Sequence, residues 1–215
     1  MGTLELIVNK LILRSHIITY GKASSAEITE QIRAEIELMW NQPEGEVHVG
    51  ENKYKLIFSI SAEWRPGISD LEVISNTDPL NNYFRIEEFA RENVSFVDGI
   101  GCNTGYFKLE NLYSGSTTAA HEYGHSLGAS HPDNHDYRGK GVPGIMYPRG
   151  TLVDPVFQYE PDKVAGTKGG TINPIHRRVK QEDINSLQLP LLEWNQGMAH
   201  VGEFTNVWHE DHAIS

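Results

Sequence analysis

The sequence predicts an α+β protein, and three observations predict it. Leu, Ile and Val crowd residues 4–18 as they do in strands, residues 24–42 carry apolar positions at helical spacing, and residues 53–64 alternate in polarity. After a second helical stretch at 117–127, the chain is rich in Gly and Pro and shows little periodicity.

Taken in order, residues 4–18 read as one long strand or two short ones. Ser24 and Ser25 then cap a helix, with Glu27 three residues after Ser24 completing a capping box. Ile28, Ile32, Ile36 and Met39 or Trp40 share one face as far as Asn41-Gln42-Pro43, so this helix lays an apolar stripe on a sheet. Val47 and Val49 alternate with polar residues, and Tyr54, Leu56, Phe58 and Ile60 share a parity in the strand at 53–64. Residues 66–92 show no readable pattern. Residues 94–97 and 106–109 read as strands around a Gly-rich turn, and Ser114-Gly115-Ser116 supplies N-cap candidates for the helix at 117–127.

Composition bounds the function. With 215 residues, 39% hydrophobic and 22% charged, the chain can bury a sizeable core. Lys and Arg number 18 against 29 Asp and Glu, a net charge of -11 without any basic cluster along an element, which argues against nucleic acid and anionic membranes as partners. The apolar runs are far shorter than the roughly twenty residues of a membrane span. The opening Met1-Gly2-Thr3-Leu4-Glu5 does not resemble a secretory signal, so export after signal removal, export by another route, and retention in the cell all stay open. Cys102 is the one cysteine; no intrachain disulfide can form, and a buried, unreactive thiol is expected. Asn93-Val94-Ser95 matches a glycosylation acceptor, a triplet common by chance.

The chemistry concentrates in His121-Glu122-Tyr123-Gly124-His125-Ser126-Leu127-Gly128-Ala129-Ser130-His131. Residues four apart lie one helical turn apart, so His121 and His125 can offer nitrogens to one metal ion in an HExxH arrangement. Gly128 stands where the helix should stop, because glycine enters the left-handed region without steric penalty, and the turn brings His131 back as a third ligand. Three neutral imidazoles on Zn²⁺ leave a fourth position for water, the mark of a catalytic rather than a structural zinc site. Glu122, beside a ligand but rotated away, can take that water's proton. A chance match to this pattern in such a chain is on the order of one in ten thousand.

The extended HExxHxxGxxH motif resembles that of the metzincin zinc endopeptidases. Gly144-Ile145-Met146-Tyr147-Pro148 is similar to the Met-turn of matrixins, which makes Met146 an apolar floor under the histidines; a core methionine after an ordinary turn would look the same. Gln181-Glu182-Asp183-Ile184-Asn185-Ser186 resembles the opening of the last matrixin helix, which gives Asp183 a structural tie to the Met-turn; an acidic first turn complementing the helix dipole reads equally well. Pro132 after the third histidine is serralysin-like, yet serralysin calcium-binding repeats are absent. Tyr147 lies one position too early for the tyrosine ligand of astacins, and Pro148-Arg149-Gly150 lacks the tyrosine that walls the matrixin specificity pocket.

The resemblance implies a metzincin-like zincin fold. A mixed twisted β-sheet, a backing helix and the active-site helix form an upper lobe at about residues 1–130, and a smaller irregular lobe with a final helix follows at about 131–195, then a tail from 196. It implies one catalytic Zn²⁺ on His121, His125 and His131, supported by Gly128, Met146 and Asp183, with Glu122 as general base for peptide hydrolysis. It implies an extracellular protein and a protein or peptide substrate bound as an extended strand, with residues 99–107 as the edge that receives it. Asp133, Asn134, His135 and Asp136 offer ligands for Ca²⁺ or a second zinc without completing any calcium-loop spacing, and His176, His200, His209 and His212 read as surface residues. Residues 197–215 read as a tail, a partner strand or the remnant of a longer polypeptide. Two other functions fit the same residues: a toxin or effector unit of a larger protein, and a non-catalytic module that keeps the zinc scaffold.

Overall fold

A computed structural model describes residues 1–212; the last three residues of the tail expected from 196 onward lie outside the described residues. The opening apolar stretch forms two strands, β1 (Gly2–Ile7) and β2 (Lys10–Tyr20), joined by a tight turn in which Val8 has a positive φ of 56°. They pair antiparallel, with Leu4 opposite Leu13. The other strands are β3 (Glu46–Val49), β4 (Asn52–Trp64), β5 (Asn81–Glu87), β6 (Phe96–Val97), β7 (Thr104–Lys108) and β8 (Met198–Val201). They make an eight-stranded mixed sheet in the order β3-β4-β2-β5-β7-β6, with β1 beside β2 and β8 beside β1. β2 runs parallel to β4 along its whole length. On its other side it pairs first with β1, through residues 10–14, and then with β5 from His16 onward.

Helix α1 (Ala26–Asn41) lays Ile32, Ile36, Met39 and Trp40 on this sheet as its spacing predicts. Its N-cap is Ser25, whose hydroxyl accepts from the Ile28 amide at 3.2 Å. The third helical position is therefore Ile28 rather than an acid, so the capping box expected from Ser24 and Glu27 does not form. Trp40 is wholly buried and joins the layers: its ring packs on Phe58 of β4 at 5.2 Å, and its Nε1 donates to the Ala120 carbonyl of the next long helix at 3.0 Å.

Between residues 66 and 92, where the sequence offers no pattern, lie a short helix α2 (Asp70–Ile74) and the central strand β5. β5 is flanked on both sides by parallel strands and is buried from Asn82 to Glu87. Its polar residues are satisfied internally: the Arg85 guanidinium lies 2.6 Å from Glu87, both nearly inaccessible. The sheet ends at β6, which pairs antiparallel with β7 on one side only. The edge is thus Phe96–Val97, and the expectation of an edge at 99–107 is corrected: β7 lies between β5 and β6, and residues 99–103 form the turn leading into it.

From Leu109 to Gln196 the described chain contains no named strand; helix α3 (Thr118–Ser126), helix α4 (Gln181–Ser186) and several 3₁₀ turns are linked by irregular backbone. The C-terminal segment is a partner strand: β8 pairs antiparallel with β1, and the residues after it cross the sheet. Trp208 stacks on Tyr20 at 4.9 Å, and His212 stacks on Tyr106 at 4.0 Å. His200 is exposed as expected, but His209 and His212 are half-buried, His209 lying 3.0 Å from Asp98, and His176 is half-buried against Phe157. Cys102 is free and buried, and burial pushes its thiol pKa up. No helix among the described residues is long and apolar enough to cross a membrane.

Candidate metal centre

Helix α3 begins without a side-chain cap of its own. Thr117 takes the N-cap position in the left-handed region (φ 57°), displacing the expected Ser114-Gly115-Ser116, although the Ser116 hydroxyl accepts from the Thr118 amide at 3.2 Å. A second acceptor comes from across the interface: Glu35 of α1 accepts from the Ala120 amide at 3.2 Å, setting a carboxylate against the positive end of the helix dipole. Tyr123 faces the sheet, fully buried, with its hydroxyl 2.8 Å from Ser15 Oγ of β2. This anchoring turns His121 and His125 to the opposite side of the helix.

The helix stops as its glycine predicts. Gly128 has φ 107°, its amide donates to the His125 carbonyl at 3.0 Å, and the Ala129 amide donates to the Gly124 carbonyl at 3.0 Å. That pair of bonds is a Schellman turn, and it swings His131 back over α3.

The three imidazoles converge through one nitrogen each. Nε2 of His121 lies 3.2 Å from that of His125 and 3.1 Å from that of His131, and the latter two are 3.0 Å apart. Their other nitrogens are already engaged: Nδ1 of His121 is 2.7 Å from the Ile145 carbonyl, and Nδ1 of His125 is 2.8 Å from the Ala129 carbonyl. A carbonyl only accepts, so both rings carry their hydrogen on Nδ1 and turn a bare Nε2 lone pair inward. Burial depresses the basicity of all three, His121 well below the ordinary range and His131 to about 4, so protons do not compete for these lone pairs near neutrality. Tetrahedral metal–nitrogen bonds of the length zinc makes would set the nitrogens about 3.3 Å apart, close to what is found. His121, His125 and His131 can hold a metal ion, and among the described residues no other group of three or more such side chains gathers. The loop at 133–136 does not: the Asp136 carboxylate is taken by Arg138 at 2.5 Å.

Met146 is 2% exposed and lies under α3 at Gly124. A Cβ on Gly124 would stand 2.4 Å from the Met146 sulfur and 3.0 Å from Trp40 Cζ2, so the glycine inside the histidine motif is required by close packing beneath it. Gly124→Ala is therefore expected to cost roughly 1–3 kcal/mol of stability through overpacking, although alanine favours an unobstructed helix by about 1 kcal/mol. Urea unfolding measures this, and a variant as stable as the parent would show that Met146 has room to yield. Asp183 fastens the same turn from below: it accepts from the Lys180 amide at 2.8 Å and the Ile145 amide at 3.3 Å, capping α4 and holding residue 145, whose carbonyl orients His121. Asp183 thus touches both the first turn of α4 and the backbone just before Met146. Tyr147 packs its ring on Tyr137 at 4.6 Å.

Glu122 is buried, and it lines a cavity of about 170 Å³ together with His121, His131, Pro148, Arg149 and Arg177. Burial pushes its carboxyl up to about 8, opposed by the Arg177 charge and the Val97 amide; a bound cation would draw it down further. Arg177, which the sequence reading did not single out, is 2% exposed. Its Nε donates to Thr117 Oγ1 at 2.9 Å and its Nη1 to the Tyr147 carbonyl at 3.0 Å, and Nη1 also lies 3.0 Å from His121 Nδ1. Since that Nδ1 gives its hydrogen to Ile145, the last contact is a charge beside the ring rather than a hydrogen bond. The one hint in the sequence is the pair Arg177-Arg178 in an otherwise acidic chain.

No family model matches this chain, and no curated protein matches it.

Proposed function

We propose that the chain is a zinc-dependent endopeptidase of the metzincin type. The observation that carries the reading is the position of Glu122: a buried carboxylate lining the same small cavity as two of three imidazoles whose Nε2 atoms converge. Nε2 of His121, His125 and His131 would hold the ion, and the open side of the triad faces that cavity. When bound, zinc supplies Lewis acidity, polarising a peptide carbonyl and bringing the pKa of water to about 7. Glu122 takes a proton from the attacking water and returns it to the amine nitrogen as the peptide bond breaks, so no net proton is gained or lost. Met146 and Asp183 keep the histidines in place without touching the substrate. The free side of β6 lies beside α3 and suits an extended peptide added as a further strand. The histidine pattern followed by a buried methionine turn, itself fastened by an aspartate of the last helix, supports the metzincin assignment within the zinc peptidases.

Cleavage profiling on a proteome-derived peptide library tests this. Cuts at internal bonds are expected, abolished by a chelator and restored by zinc. A zinc-loaded protein that cuts nothing in the library would overturn the reading.

A further inference from the structure

The chain buries two arginines, and they are treated differently. Arg85 has its counter-charge at hand in Glu87. Arg177 is more deeply buried, and among the described residues no carboxylate lies within ion-pair distance of it, although it lines the cavity beside the histidines. A guanidinium removed from water is costly unless a charge or full hydrogen bonding compensates. Of its five N–H groups, one binds Thr117, one binds Tyr147, and a third reaches the Ser116 carbonyl only at 3.5 Å. That leaves one N–H on Nη1 and one on Nη2 without an acceptor, in a residue that lines the cavity. A second guanidinium, Arg149, lines the same cavity, is exposed and has no ion-pair partner among the described residues. The one acid on the cavity wall is Glu122, which the proposed hydrolysis uses as its base.

We infer that this cavity is a carboxylate subsite and that the preferred substrates carry Asp or Glu at a fixed position flanking the bond that is cut. The inference rests on the peptidase reading. The volume of about 170 Å³ corresponds to about five or six water molecules, room for an acidic side chain, and the planar fork of Arg177 suits two carboxylate oxygens while Arg149 closes from the solvent side. Discrimination against the neutral isostere should be large, because a Gln in this position leaves the buried cation without an anion.

The test uses decapeptides that differ only by Glu, Gln or Leu at each successive position. Their binding to the zinc-loaded Glu122→Gln protein is read by fluorescence polarisation, and their cleavage by the parent protein is read by mass spectrometry. At one position relative to the cut, Glu should bind and be cleaved at least tenfold better than Gln. Arg177→Leu and Arg149→Ala should each bring that ratio toward one. If Arg177→Leu does not fold, Arg177→Lys, which keeps the charge and loses the fork, should retain only part of the preference, and Arg149→Ala still applies. Equal treatment of Glu and Gln, a preference for Leu, or an equal loss on both peptides in Arg177→Leu would overturn the subsite. Preferential binding of Glu without any cleavage would sink the peptidase reading and leave the subsite standing; cleavage without discrimination would do the reverse.

Discussion

Replacing Glu122 with glutamine is expected to leave the metal in place and to cut peptide turnover by roughly 10²–10⁴-fold, the usual contribution of a positioned acid–base group. Glutamine has the same shape, and its carbonyl can still accept from the Val97 amide that faces this side chain, so α3 and the cavity should be undisturbed. What it cannot do is take and release a proton. The pH profile adds a second readout. Burial holds the Glu122 carboxyl near 8 without a cation, and the charge of a bound ion lowers it. Because the base must be ionised to act, activity should rise with pH through a value below about 8 in the zinc-loaded parent, and that limb should vanish in the variant. Metal analysis and kcat/KM between pH 5 and 9 check both points. A glutamine variant with full metal and near-normal turnover would remove Glu122 from the mechanism.

The site was legible in the sequence to the extent that it is local. One helical turn separates His121 from His125, one left-handed glycine separates them from His131, and neither relation needs a distant partner to be read. Strands with one face on the core, such as β4 with its Leu56, Phe58 and Ile60, announce themselves by parity. β5 does not, because a strand with parallel neighbours on both sides has no wet face to alternate with, and Asn82, Arg85 and Glu87 dilute its apolar character while being satisfied inside. The edge was misplaced for a related reason. Residues 99–107 and 96–97 form one hairpin, and which arm faces outward depends on β5 reaching β7 first, a pairing across some twenty residues that local spacing does not encode. Glu35 at the start of α3 and Arg177 beside His121 are likewise contacts between segments far apart in the chain. Even the cap of α1 turned on a single residue: placing the cap at Ser25 instead of Ser24 takes Glu27 out of the capping position.

Removing zinc should lower the melting temperature by roughly 8–16 °C when free metal had stood a thousandfold above its dissociation constant. That excess stabilises the folded state by about 4 kcal/mol, and for a domain of this size 1 kcal/mol corresponds to roughly 2–4 °C. His125→Ala should abolish the response, its melting temperature being the same with zinc and with chelator, and its metal content and turnover should fall together. The metal-free comparison is the more discriminating one. Without a cation, the Nε2 lone pairs of His121 and His125 face each other at 3.2 Å, and burial denies those rings the extra proton that would relieve the repulsion. Deleting one ring removes that repulsion at the same time as it opens a small space in a partly polar site. The metal-free variant should therefore unfold within about 1 kcal/mol of the metal-free parent, far less than the 2–5 kcal/mol typical when a buried apolar side chain is cut to alanine. Differential scanning calorimetry of both proteins, with zinc and with chelator, separates the terms. A parent whose melting does not depend on zinc would mean that the converging nitrogens do not bind it, and a metal-free variant several kcal/mol less stable than its parent would mean that the rings hold the structure by packing rather than by waiting for an ion.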